Sequence, residues 1–147
     1  MSARGQNGTG EGMLKAFDNN SGTKWLDFAP DAATRASWSQ YSYPTGKLYH
    51  VTSYTITSAN DQQARDPQDW VLLGCNADGS WTRLDVRTGE SFTKRAQKRT
   101  FTVTTPGFYK AYRLQIDAVF NPAGANSVQL AEIELLSADP AMTTSGG

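Results

Sequence analysis

Amide, carboxylate and guanidinium side chains gather in one polar loop of the chain, residues 58–69, where Asn60, Asp61, Arg65, Asp66 and Asp69 surround Pro67. Groups of this kind can grip hydroxyls. The planar fork of Arg65 is suited to holding two neighbouring hydroxyls at once, or it can pair with Asp61, four residues away, and brace its own loop. A second gathering is the turn at 18–24, DNNSGTK, which packs oxygen-bearing side chains around Gly22. Its Asp-x-Asn opening is that of a calcium loop. Gly22 comes one position early, however, and Ala29 stands where the twelfth-position glutamate belongs, so an EF-hand is excluded. Two further polar segments, 25–35 and 120–127, offer Asp27, Phe28, Phe120, Asn121 and Asn126.

Catalytic chemistry finds little material. The chain has one histidine, His50, and one cysteine, Cys75, so zinc lacks ligands and no intrachain disulfide can form. Cys75 lies in an apolar run and reads as a small buried hydrophobe. No nucleophile elbow, metalloprotease helix, phosphate loop or C-x-x-C occurs. Glu132 and Glu134 fall on one side of a regular strand and give no opposed pair of acids. The chain reads as a non-enzyme.

The elements that position the polar loops are strands. Residues 51–57 are β-rich. Residues 70–75 are almost wholly apolar, as for a strand buried on both faces. Asn76-Ala77-Asp78-Gly79 is hairpin-turn chemistry leading into 81–86. Residues 36–43 alternate, with Trp38, Gln40 and Ser42 on one face and Ser39, Tyr41 and Tyr43 on the other. Residues 99–104 put Phe101 and Val103 on one face. Residues 110–117 alternate most cleanly, setting Tyr112, Leu114 and Ile116 against Arg113, Gln115 and Asp117. The last strand changes phase between Leu130 and Ile133, which predicts a β-bulge at Ala131–Glu132. One short helical turn is expected at 12–17, and 25–35 is expected to be irregular because Pro30 cannot donate to a ladder.

The 147 residues correspond to a single domain, and fourteen basic residues balance fourteen acidic ones without blocks of either sign. That balance disfavours a nucleic-acid surface and a module drawn to anionic membranes. No apolar run is long enough to span a bilayer as a helix. Residues 1–10 are expected to be flexible, 11–137 to form the domain and 138–147 to be a linker-like tail.

The phrases SYTITSAND, RDPQDWVLLGCN and DGSWTRLD, with AFDNNSGTKW at 16–25 and QLAEIEL at 129–135, resemble the discoidin or coagulation factor 5/8 C-type family, and within it the bacterial galactose-binding-like carbohydrate-binding modules. The resemblance implies an all-β fold, an eight-stranded antiparallel jelly-roll β-sandwich, with Trp25, Trp38, Trp70 and Trp81 mainly in its core. It implies a structural calcium ion held by Phe17, Asp18, Asn20, Thr23, Ala131 and Glu132, with the Phe17 and Ala131 contributions coming from main-chain carbonyls. It places a ligand site on the loops at one end, giving Asp27, Phe28, Asn60, Asp61, Arg65, Phe120, Asn121 and Asn126 as candidates for holding a glycan. The sugar-binding members usually carry a histidine in the first loop; this chain has none there, which argues against a simple galactose preference. The resemblance also suggests a monomeric module of a secreted or cell-surface protein, fused to a larger enzyme or surface protein. Other readings are an adhesion module for phospholipid or protein, for which residues 44–49, PTGKLY, are the comparable loop, and a spacer without ligand.

Overall fold

The computed structural model describes residues 2–8, 10–18, 20, 22–29, 31–44, 46–137 and 144–145. Its strands are β1 (Ser2–Ala3), β2 (Trp25–Asp27), β3 (Ser37–Ser42), β4 (Tyr49–His50), β5 (Ser53–Thr57), β6 (Pro67–Cys75), β7 (Trp81–Arg87), β8 (Lys98–Thr102), β9 (Phe108–Tyr109), β10 (Ala111–Val119), β11 (Val128–Leu130), β12 (Glu132–Leu136) and β13 (Thr144–Ser145). Counting β11 and β12 as one interrupted strand, the sandwich has the expected eight main strands, with β1, β4, β9 and β13 as two-residue additions.

One sheet has the order β1-β3-β10-β6-β7 and the other β13-β12-β5-β8, all antiparallel, with β11-β2 and β4-β9 as separate pairs. The clean alternation of β10 suits its central place: Tyr112, Leu114 and Ile116 are buried against Tyr54, Ile56, Ile133 and Leu135 of the opposite sheet. β6 lies between β10 and β7 with apolar residues on both faces, Leu73 alone among 70–75 being half-buried, and it extends back to Pro67, whose missing N–H falls at the strand's first residue.

Three expectations change. Residues 2–8 are not a loose lead-in: Ser2 and Ala3 pair with Gln40 and Ser39, and the Arg4 and Asn7 N–H groups donate to Trp38 and Leu26 carbonyls. Residues 25–35 begin as strand β2, paired with β11, before turning irregular. The tryptophans divide. Trp25 and Trp70 are fully buried, but Trp38 is half-buried and Trp81 is 38% exposed, because their strand phase points them out of the sandwich. Of the tail, Thr144 and Ser145 pair with Leu135 and Glu134, and the rest of 138–147 lies outside the described residues.

The phase change in the last strand becomes a change of partner. Val128–Leu130 pair with β2, Glu132–Leu136 pair with β5, and Ala131 between them donates its N–H to the Thr57 carbonyl at 2.8 Å. Both phases are buried because each faces a different partner.

Candidate functional site

Strands β3 and β6 start, and β10 ends, at the same end of the sandwich, so the loops 25–35, 58–69 and 120–127 meet there. Backbone bonds lace them. The Phe120 N–H donates to the Asp66 carbonyl at 2.8 Å, that of Asn121 to Ala64 at 3.0 Å, and that of Val119 to Thr34 at 3.0 Å. Arg35 completes the seam, its guanidinium donating to the carbonyls of Ala125, Phe28 and Ala29. Ala29, Arg35 and Gln62 all take positive φ, a conformation that non-glycine residues hold only where the surroundings fix it.

The long loop is braced by a residue that local reading missed. Arg95 donates to both carboxylate oxygens of Asp66, at 2.9 and 2.6 Å, and to the carbonyls of Ala59, Asp61 and Phe92. Asp66 is fully buried; burial pushes its carboxyl above the usual range and outweighs the pull of Arg95. Arg95 does the bracing, and the Arg65 guanidinium makes no hydrogen bond or ion pair among the described residues. Asp61 feels the charge of Arg65, but its carboxylate is bonded by Lys24 Nζ at 2.8 Å and by Gln129 Nε2 at 2.9 Å. Burial raises the Asp61 carboxyl, and these bonds together with the Lys24 and Arg65 charges bring it below its ordinary value.

Seven of the eight nominated ligand residues sit on this rim. Phe28 is 50% and Phe120 38% exposed, Asn60, Asn121 and Asn126 are exposed, and Arg65 is half-buried. Asn121 Oδ1 is partly spent, accepting from Gly124 N–H at 3.3 Å, and Asn126 Oδ1 accepts from Ser127. Asp27 is the correction. It is 2% exposed, and its carboxylate accepts from Arg4, from Ser37 Oγ at 2.6 Å and from Ala29 N–H, so it fastens the N-terminal segment instead of facing solvent. Sequence reading could not pair Asp27 with Arg4 across 23 positions or Asp66 with Arg95 across 29.

The 18–24 turn docks on the start of β12. The Asn20 N–H donates to Glu132 Oε1 at 2.7 Å and to Asp18 Oδ1 at 3.0 Å, and Thr23 Oγ1 donates to Asp18 and to the Asn20 carbonyl. Asp18 and Glu132 come within hydrogen-bonding reach of each other; burial raises the Asp18 carboxyl, but Glu132, Thr23, the Asn20 N–H and the Lys15 charge bring it below its ordinary value. Two carboxylates beside the Thr23 hydroxyl and the Asn20 carbonyl are donors of the type calcium takes. Among the described residues, no three His, Cys, Asp or Glu gather in one place, so most of the donors would be main-chain or hydroxyl oxygens.

No family model matches the chain. A family 32 module from a family 31 glycoside hydrolase of Clostridium perfringens superposes with a TM-score of 0.74, over 100% of this chain and 89% of that one, at 10% identity. The family 32 module of C. perfringens NanJ, solved in complex with galactose, gives 0.68 over 90% and 88% at 18% identity. The chain has a discoidin-like fold. In sequence, peptide-N(4)-(N-acetyl-beta-glucosaminyl)asparagine amidase of Arabidopsis thaliana is 34% identical over 122 residues. The match takes in 82% of this chain but spans only 16% of the plant protein's length. Among the described residues, no helix of this discoidin-like domain is long and apolar enough to cross a membrane.

Proposed function

We propose that the chain is a non-catalytic carbohydrate-binding module that holds a glycan on the three laced loops. The observation that carries this reading is the Arg65 guanidinium, unspent within the described residues, on a loop whose flanking Ala64 and Asp66 carbonyls accept from the Asn121 and Phe120 N–H groups of the neighbouring loop. A guanidinium fork bonds adjacent hydroxyls and an exposed ring stacks on a sugar's C–H face. Support comes also from neighbours of the same fold solved with galactose and with GalNAc-β-1,3-galactose. The amidase relative and the glycoside hydrolase that carries a neighbour of the same fold suggest a larger glycan-processing protein as the carrier, and a secreted or cell-surface setting is part of the same proposal. The module itself acts as a monomer.

Affinity is expected between about 1 mM and 1 μM, roughly −4 to −8 kcal/mol. A glycan array in calcium buffer identifies the sugar, and calorimetry on the best hit compares Arg65→Ala with the parent. A tenfold or greater loss with an unchanged melting temperature supports the site, and unaltered binding rejects it.

The calcium site belongs to the same proposal. Asp18, Glu132, Thr23, Asn20 and the Phe17 and Ala131 carbonyls would hold the ion, pinning the 18–24 turn to β12. Calcium should raise the melting temperature of EDTA-treated protein by mass action on the folded state. Asp18→Ala should abolish that rise; an identical melting temperature with and without calcium would remove the ion from the account.

A further inference from the structure

The strands that carry the laced loops also end together at the far side of the domain. Nine residues of β10 separate the two ends, roughly 25–30 Å at strand rise. There a groove of about 500 Å³ opens on the outer face of the five-stranded sheet, in the range of small-ligand sites. Its floor is Ser42, Cys75 and Ala111, register neighbours on β3, β6 and β10. Tyr43, Pro44 and Leu48 line it, with Ala77 of the β6–β7 turn.

Charge distinguishes this groove. In a chain whose formal charges cancel, Lys47 and Lys110 both line it, and neither makes a side-chain hydrogen bond or ion pair among the described residues. One row along the sheet lies Arg113, its guanidinium 3.9 Å from the Trp38 ring and 4.6 Å from the Trp81 ring, with Gln40 Oε1 as its acceptor and no carboxylate. Asp78, in the neighbouring turn, is within the influence of Lys110 but accepts from Ser80 N–H and Oγ–H inside its own hairpin. Cations thus outnumber anions around a recess with largely apolar walls.

We propose that this groove is a second binding site, for a saccharide bearing a carboxylate. The sugar's C–H face would lie on Pro44 and Leu48, a hydroxyl on Ser42, and the carboxylate between Lys47 and Lys110. The saccharide class rests on the carbohydrate-binding reading above; the cationic recess does not.

The probe is digalacturonic acid, titrated into the isotopically labelled chain at low salt, with the neutral disaccharide galactobiose as control. Amide signals of Lys47, Leu48, Ala77, Lys110 and Ala111 should shift with the acid alone, while those of Asn60 to Arg65 stay still. Binding should weaken severalfold on adding 0.15 M salt, as exposed charge pairing does. The double variant Lys47→Gln/Lys110→Gln should lose at least tenfold in affinity. Ala77→Trp, which fills the recess from an exposed turn, should abolish binding without lowering the melting temperature. Arg65→Ala should leave this binding untouched, so failure of the loop site and failure of the groove are separately visible. The proposal is overturned if no shifts appear, if shifts are confined to 60–66 and 120–126, or if the lysine variant binds like the parent. Capture by phosphatidylserine vesicles, lost in the lysine variant, with no response to the sugar acid would also overturn it in favour of an anionic surface.

Discussion

Trp70 and Trp81 lie on adjacent strands of one sheet and have opposite roles. Trp70 is fully buried, its indole N–H donating to Tyr54 Oη at 2.8 Å, with Phe101 edge-on to its ring. Trp81 pairs with Cys75, five residues on from Trp70 and therefore on the other face, where it covers the guanidinium of Arg113. Trp25 repeats the first pattern, its N–H donating to the Gly5 carbonyl, and Trp38 the second. Residue type fixes neither role. Strand phase does, and with it the choice between a neutral hydrogen-bonded partner inside and a cation outside.

The widest test of that contrast is Trp70→Ala, expected to cost about 3–5 kcal/mol in urea unfolding, against at most about 1 kcal/mol for Trp81→Ala. Equal costs would erase the distinction. The same inside-outside contrast holds for the two arginines flanking Asp66, Arg65 in the 58–69 loop and Arg95 between β7 and β8. Arg95→Ala strands the buried Asp66 carboxylate and should cost on the order of 3 kcal/mol, whereas Arg65→Ala should change stability by no more than about 0.5 kcal/mol. A reversed order would make Arg65 the brace and remove it from the rim.

The smallest effect is in acid. Burial raises the carboxyls of Asp27 and Asp85, but bonds from Arg4, Ser37 and Ala29 to the first, and from Tyr54, Arg87 and Thr104 to the second, hold both below their ordinary value. Their folded-state values lie below the unfolded value of about 3.9, so the stability they contribute is present above about pH 4 and lost as pH falls through the folded values. Asp66, held high, has the opposite sign and loses its contribution as pH rises through its folded value. Melting temperature should therefore decline below about pH 4, and Asp27→Asn should flatten the decline; an unchanged slope would mean that Asp27 is not tightly held.

Period and turn chemistry were readable because they are local. The alternation of β10, the doubly buried run of β6, the Asn76–Gly79 turn and the phase change near Ala131 all appear where residues a few positions apart predict them. The three loops were legible as a group only through resemblance, and the structure brings them together. What local reading could not supply was partnership. Whether Asp27 or Arg65 faces a ligand depends on Arg4 and Arg95, which reach them or their neighbours only after folding. The outward phase of Trp81 likewise followed from its pairing with Cys75, not from its own neighbours.

The change of partner at Ala131 also bears on synthesis. β2 and β5 both wait for residues 128–136, so β2 stays unpaired by its native neighbour while about 100 further residues are made. At ~5–20 residues per second that is roughly 5–20 s on the ribosome. During that interval the strand would be an open edge beside nascent apolar β5 and β6, a state in which chaperone capture or mispairing competes with completion.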